Sequence, residues 1–146
     1  MGVVEYSIVI DAAPERVWRT YADPSRIPDW QTGRPVITHI LGEPGAPGSS
    51  YVSRRGRLAA RTTVLSAAAP RELVTETEAY FGLQVEVRSR LSEKSGSTEL
   101  RLHVETRWRR RWFLIARIVE HAVLGPGEAL KELDNFKALV EREGTG

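Results

Sequence analysis

An α+β fold is predicted: a curved seven-stranded antiparallel sheet around a long C-terminal helix, with two short helices after the first strand. Three observations predict it. A β-branched, alternating segment opens the chain and runs into proline-punctuated helical text; from residue 34 onward come six runs of about ten residues separated by turn signals; and residues 109–143 carry apolar positions at helical spacing.

The first strand, residues 3–10, alternates Val4, Tyr6, Ile8 and Ile10 against Val3, Glu5, Ser7 and Val9. It ends at Asp11-Ala12-Ala13-Pro14. Pro14 and Glu15 suit a first helical turn, where a missing N–H is not needed and a carboxylate meets the positive end of the helix dipole. Val17, Trp18 and Tyr21 give that helix one apolar face, and Asp23-Pro24 stops it because the residue before proline avoids helical angles. A second short helical turn is expected from Pro24 to Trp30, interrupted by Pro28.

The next six strands are expected at residues 34–41, 49–58, 60–67, 72–80, 83–92 and 98–108. Turn chemistry separates them, from Gly42-Glu43-Pro44-Gly45 to Lys94-Ser95-Gly96. The last two strands alternate cleanly, which predicts a wet sheet face and a dry one. The wet face carries Glu76, Glu78, Glu86, Arg88, Arg90, Arg101, Glu105 and Arg107, with acids and bases expected to pair across strands. The dry face needs a cover, and Leu130, Leu133, Phe136 or Lys137, and Val140 of the C-terminal segment supply an apolar stripe. Gly125-Pro126-Gly127 is expected to kink or break that helix between Leu124 and Glu128.

At 146 residues the chain reads as one domain, residues 1–146. It contains no Cys, which excludes disulfide scaffolds, thiol catalysis and Cys-ligated metal. Twenty-one Lys and Arg against 19 Asp and Glu leave +2, a total without the clustered excess of a nucleic-acid footprint, so no nucleic-acid partner is expected. The N-terminus lacks a basic n-region and an apolar run, and the most apolar window, residues 112–124, is too short to cross a bilayer, so a cytoplasmic protein is expected.

In this order of elements, the strings "YSIVIDAAPERVWRTYADPSRIPDW", "SYVSRRGRL" and "EALKELDNFKALVE" resemble the SRPBCC or START superfamily, in particular its polyketide cyclase/dehydrase and lipid-transport branch. The resemblance spans essentially the whole chain. It implies a helix-grip fold whose helix crosses a bent sheet without filling it, leaving an apolar cavity for a hydrophobic small molecule such as a polyketide, an acyl compound or an isoprenoid lipid. On that reading Trp18, Tyr21 and Trp30 shape one end of the cavity. Tyr51, Thr75, Thr77, Val87, Val104, Thr106 and Trp108 belong to its wall, and Leu130, Leu133 and Phe136 form its roof. No cofactor is implied.

The aromatase/cyclase members of that branch use an Arg, a Tyr and a Trp in the pocket. Only the Trp carries over, as Trp30; the Tyr position falls on Ile37 and the Arg position on Leu65, with Tyr51, Arg61 and Tyr80 as neighbouring substitutes. A polyketide cyclase/dehydratase is therefore the alternative to a binding protein. A toxin-like or chaperone-regulating interaction protein is the further alternative. His39, His103 and His121 form no HExxH or comparable pair, so no metal is expected, and no GxGxxG, Walker A or GxSxG string occurs. His121, close to the expected kink, is the histidine best placed for acid–base work at a cavity mouth. The basic aromatic stretch from Arg107 to Leu114 reads first as a cavity closure, and second as a transient membrane-surface contact through Arg109 to Phe113.

Overall fold

The computed structural model describes residues 2–79, 82–108 and 126–144, with side chains described from Ala129 to Glu143 in the last segment and only the backbone at Trp108. The element order is β1 (Gly2–Ile10), α1 (Pro14–Tyr21), a 3-10 helix (Pro24–Asp29), β2 (Val36–Leu41), β3 (Ser50–Arg55), β4 (Leu58–Ala68), β5 (Glu72–Glu78), β6 (Leu83–Lys94), β7 (Ser97–Trp108) and α2 (Pro126–Gly144). All seven strands form one antiparallel sheet in the order β1-β7-β6-β5-β4-β3-β2. The fold is α+β, as the patterning predicts. The expected start of the terminal helix at Arg109, its kink, His121, Tyr80 and the Arg109–Phe113 contact lie outside the described residues.

Local chemistry explains the boundaries. Pro14 opens α1 without a side-chain cap, whereas Asp23, which ends α1, caps the next helix by accepting from the Ser25 backbone N–H at 3.0 Å and its hydroxyl at 2.7 Å. The hairpin between β3 and β4 corrects the sequence expectation. Its turn is the two-residue Gly56-Arg57, flanked by the pair Arg55 and Leu58, and not a break near Ala59. Gly56 has φ +61°, which suits the first central position of a turn whose twist matches the strands. At the β6–β7 turn Ser95 and Gly96 both take positive φ, so β6 runs on to Lys94. β2 begins only at Val36, after Gly33 and Arg34 at positive φ and Pro35, which has no N–H to donate.

The inner face follows the predicted alternation: Leu91, Ser89, Val87 and Val85 of β6 stand opposite Leu100, Leu102, Val104 and Thr106 of β7. Ile10, Leu91 and Leu100 join Val17, Leu133, Phe136, Leu139 and Val140 in one buried core. The stripe of α2 differs from the expected one, because Leu130 is 51% exposed. At roughly 100° per residue it lies about 110° from the middle of the stripe formed by Leu133, Phe136, Leu139 and Val140, so it turns away from the sheet. Arg16 Nη2 donates to the Val140 carbonyl at 2.6 Å and Lys137 Nζ to the Val9 carbonyl at 2.9 Å, which ties α2 over α1 and the β1 edge.

The outer face pairs acids with bases across strands at some positions and sets like charges opposite each other at others. Register places Glu76 opposite Glu86, Glu86 opposite Glu105, and Arg90 opposite Arg101. The inner face and the turns set this register, since a one-residue slip would turn every apolar side chain outward. Elsewhere the expected cross-strand pairs do form: Arg90 meets its register partner Glu72 at 3.1 Å and His103 its partner Glu5 at 2.9 Å, with Glu105 of the same strand a second neighbour of His103 at 3.1 Å.

Candidate ligand-binding cavity

The two halves of the inner face differ in side-chain size. On the β1–β7 side, large groups meet α2 and fill the space. Across β3 to β6 the inward positions hold Ser53, Ala60, Thr62, Thr75, Thr77 and Ala79, too short to reach a helix that packs at the other end of the sheet. Among the described residues close packing therefore fails there, and a cavity of about 330 Å³ remains. Leu73, Leu83, Val85 and Val87 supply its aliphatic floor.

An aromatic group closes one end. Tyr21 from α1, Trp30 after the 3-10 helix and Phe136 from α2 pack together, with Tyr21 stacked on Trp30 at 6.2 Å between ring centres. Phe136 meets both edge-on, at 5.4 and 5.2 Å. The Tyr21 hydroxyl shares a 2.6 Å hydrogen bond with Ser89 Oγ. Burial pushes the Tyr21 phenol up to about 12 despite that bond, and burial likewise raises the Tyr51 phenol, so both stay protonated at neutral pH. Trp30 Nε1 is buried with no hydrogen-bond partner, the sole such side-chain atom among the described residues.

A polar rim lies where the loop after the 3-10 helix meets β3 and α2. Glu132 Oε1 accepts from Thr32 Oγ1 at 2.9 Å, from the Thr32 backbone N–H at 3.3 Å and from Arg55 Nη2 at 3.4 Å. Arg55 Nη2 also donates to Gln31 Oε1 at 3.1 Å. Gln31, Arg55 and Glu132 all line the cavity.

Of the residues singled out from the sequence, Tyr21, Trp30, Tyr51, Thr75, Thr77 and Val87 come together around this space. Trp18 packs against the core, and Leu133 and Phe136 are part of it. Val104 and Thr106 stand on the inner face of β7, beyond the described lining, with Thr106 buried and donating to the Gly2 carbonyl at 3.4 Å. Leu130 points away, and the Trp108 side chain is outside the described residues. Arg61 is exposed next to inward-facing Thr62 and does not take the place of a pocket arginine. Arg55 does stand at the cavity. Alternation alone connects Tyr51 to Ser53 and Arg55, so these two were within reach of pattern reasoning, whereas Thr62 comes opposite Tyr51 only once the Gly-Arg turn is located. Glu132 was not, since only the packing of the 31–33 loop brings it to the rim.

A larger polar depression, about 610 Å³, lies on the outer face among Glu86, Arg88, Arg101 and His103. Its charged lining belongs to the solvated face. Among the described residues no group of His, Asp or Glu has metal-site geometry, and no helix is long and apolar enough to cross a membrane.

A family model described as "Polyketide cyclase / dehydrase and lipid transport" matches residues 1–141. None of the curated proteins compared matches the chain. Among solved structures, the chain is similar to protein MLL2253 from Mesorhizobium loti, with 18% identity, TM-score 0.74 and coverage of 97% of this chain and 98% of that one. Protein CV1439 from Chromobacterium violaceum gives 20% identity, TM-score 0.72 and coverage of 95% and 96%. DynU16, described as a putative protein in the dynemicin biosynthetic locus, gives 19% identity and TM-score 0.70, with 95% of this chain covered but 47% of that one. At these identities the likeness is one of fold.

Proposed function

From the premise that the chain belongs to the polyketide cyclase / dehydrase and lipid transport family, we propose that it binds a hydrophobic small molecule in the cavity over β3 to β6. The observation that carries this reading is the pairing of an aliphatic and threonine-lined space of about 330 Å³ with an aromatic end wall. Close-packed interiors leave few voids larger than a water molecule, so a space of this size suits a guest. A ligand removing ~300 Å² of apolar surface from water would gain about 7 kcal/mol before association losses, which suits micromolar binding. Polyketides, acyl chains and isoprenoid lipids are the classes that fit, and the protein would hold them in an aqueous, cytoplasmic setting.

A cyclase/dehydratase is the second reading, favoured by the two protonated phenols on the lining, which are suited to polarising ligand carbonyls. It requires turnover of a polyketide chain that Trp30→Phe reduces while folding is kept. Binding itself is tested by native mass spectrometry of freshly purified protein and by thermal shift with apolar compounds. A co-purified small molecule or a ligand-raised Tm is expected; no shift with any apolar compound overturns the reading.

A further inference from the structure

Resting on the reading that the cavity holds an apolar guest, we propose that Arg55 is an anion-recognition site at its rim and that the guest carries a carboxylate. Arg55 ends β3 with its side chain 41% exposed, and it lines the cavity. Its two hydrogen bonds, to Gln31 and Glu132, both leave from Nη2. A guanidinium carries five N–H donors in a planar fork, so the Nε and Nη1 donors remain for a ligand.

The link to Glu132 is the longest of three that converge on the same oxygen. Thr32 already supplies that carboxylate with two closer donors on a loop that Asn135 also ties to α2, through the Trp30 carbonyl at 3.3 Å. Arg55 can therefore leave Glu132 to its two Thr32 donors and offer Nη2 together with Nη1 or Nε to a ligand carboxylate, which would gain two parallel bonds against the repulsion of the nearby Glu132 carboxylate. Deeper groups point the same way. The Tyr21 and Tyr51 phenols on the lining remain protonated, each beside one hydroxyl partner, Ser89 and Thr62. These neutral groups can serve a ligand oxygen, and Arg55 is the group of the described lining that favours a negative one. A cationic guest would find Glu132 already served and Arg55 repelling it.

The test compares decanoate with methyl decanoate, which share an apolar chain and differ in charge, by displacement of the neutral fluorophore N-phenyl-1-naphthylamine from the full chain. Decanoate is expected to displace the probe at about tenfold lower concentration than the ester, the gain of a charge-assisted bidentate contact. Arg55→Gln should bring that ratio to within roughly twofold of one, Arg55→Lys should keep part of it, and Glu132→Gln should widen it. Equal displacement by acid and ester in the wild type, or a ratio that survives Arg55→Gln, overturns the role of Arg55 and leaves the cavity reading standing. Failure of the neutral probe and of both compounds to bind overturns the two together.

Discussion

Tyr21 shows how one side chain links stability to the cavity. Its hydroxyl and Ser89 Oγ satisfy each other at 2.6 Å in a buried setting. Tyr21→Phe leaves Ser89 unpaired and is expected to cost about 1–2 kcal/mol in urea unfolding, whereas adding Ser89→Ala should cost little more, because removing both partners strands neither. His103 sets a pH signature on the outer face. Hydrogen bonds to Glu5 and then Glu105 raise its pKa above the usual value of 6.5. The protonated form is thus favoured by folding: its contribution is fully present below about pH 6.5 and is lost as pH rises through the raised value. Glu105, held down by His103 and Arg107, behaves oppositely and loses its contribution as pH falls below the ordinary carboxylate range. The Tm deficit of His103→Gln should therefore be greatest between about pH 5 and 6.5 and vanish by about pH 9.

Turns decide the register of the elements, and glycine decides the turns. Gly42 and Gly56 both take positive φ, at +78° and +61°. A Cβ at Gly56 would meet nothing within 4 Å, while one at Gly42 would stand 3.2 Å from Ser49 Cα, a backbone atom that cannot swing away. Gly56→Ala should cost about 1–2 kcal/mol for the left-handed conformation alone. Gly42→Ala should cost visibly more, and chemical denaturation of the two variants side by side checks the order. The β3–β4 hairpin carries the same lesson for sequence reading. Its turn is a single Gly-Arg pair amid a run of Arg and small residues, Arg54 to Arg61, in which apolar alternation is too weak to locate the reversal. The β6 and β7 strands, with full alternation and a Ser-Gly turn, were legible almost to the residue.

At the scale of the molecule, the decisive feature among the described residues is an uneven division of the inner face: α2 and large side chains on the β1–β7 side, a cavity over β3 to β6. Filling that space should separate binding from folding. Ala60→Leu adds apolar bulk on the cavity lining, where no side chain of the described residues fills the space, so Tm is expected to hold or rise while the ligand-induced thermal shift disappears. Its being destabilising with ligand shift intact would place the guest elsewhere. The amino-acid sequence by itself determined the α+β class, the seven strands and their inner face, because hydrophobic period and turn chemistry are local properties that survive without knowledge of neighbours. It also pointed to Tyr21, Trp30, Tyr51, Thr75, Thr77 and Val87, which the structure gathers along the cavity lining. Only the tertiary structure decided which inward residues are covered by α2 and which face empty space, and that Arg55, Gln31 and Glu132 share a rim. The reason is physical: a void and a rim depend on where one helix rests on a sheet and how far each side chain reaches, quantities set by packing between elements distant in sequence.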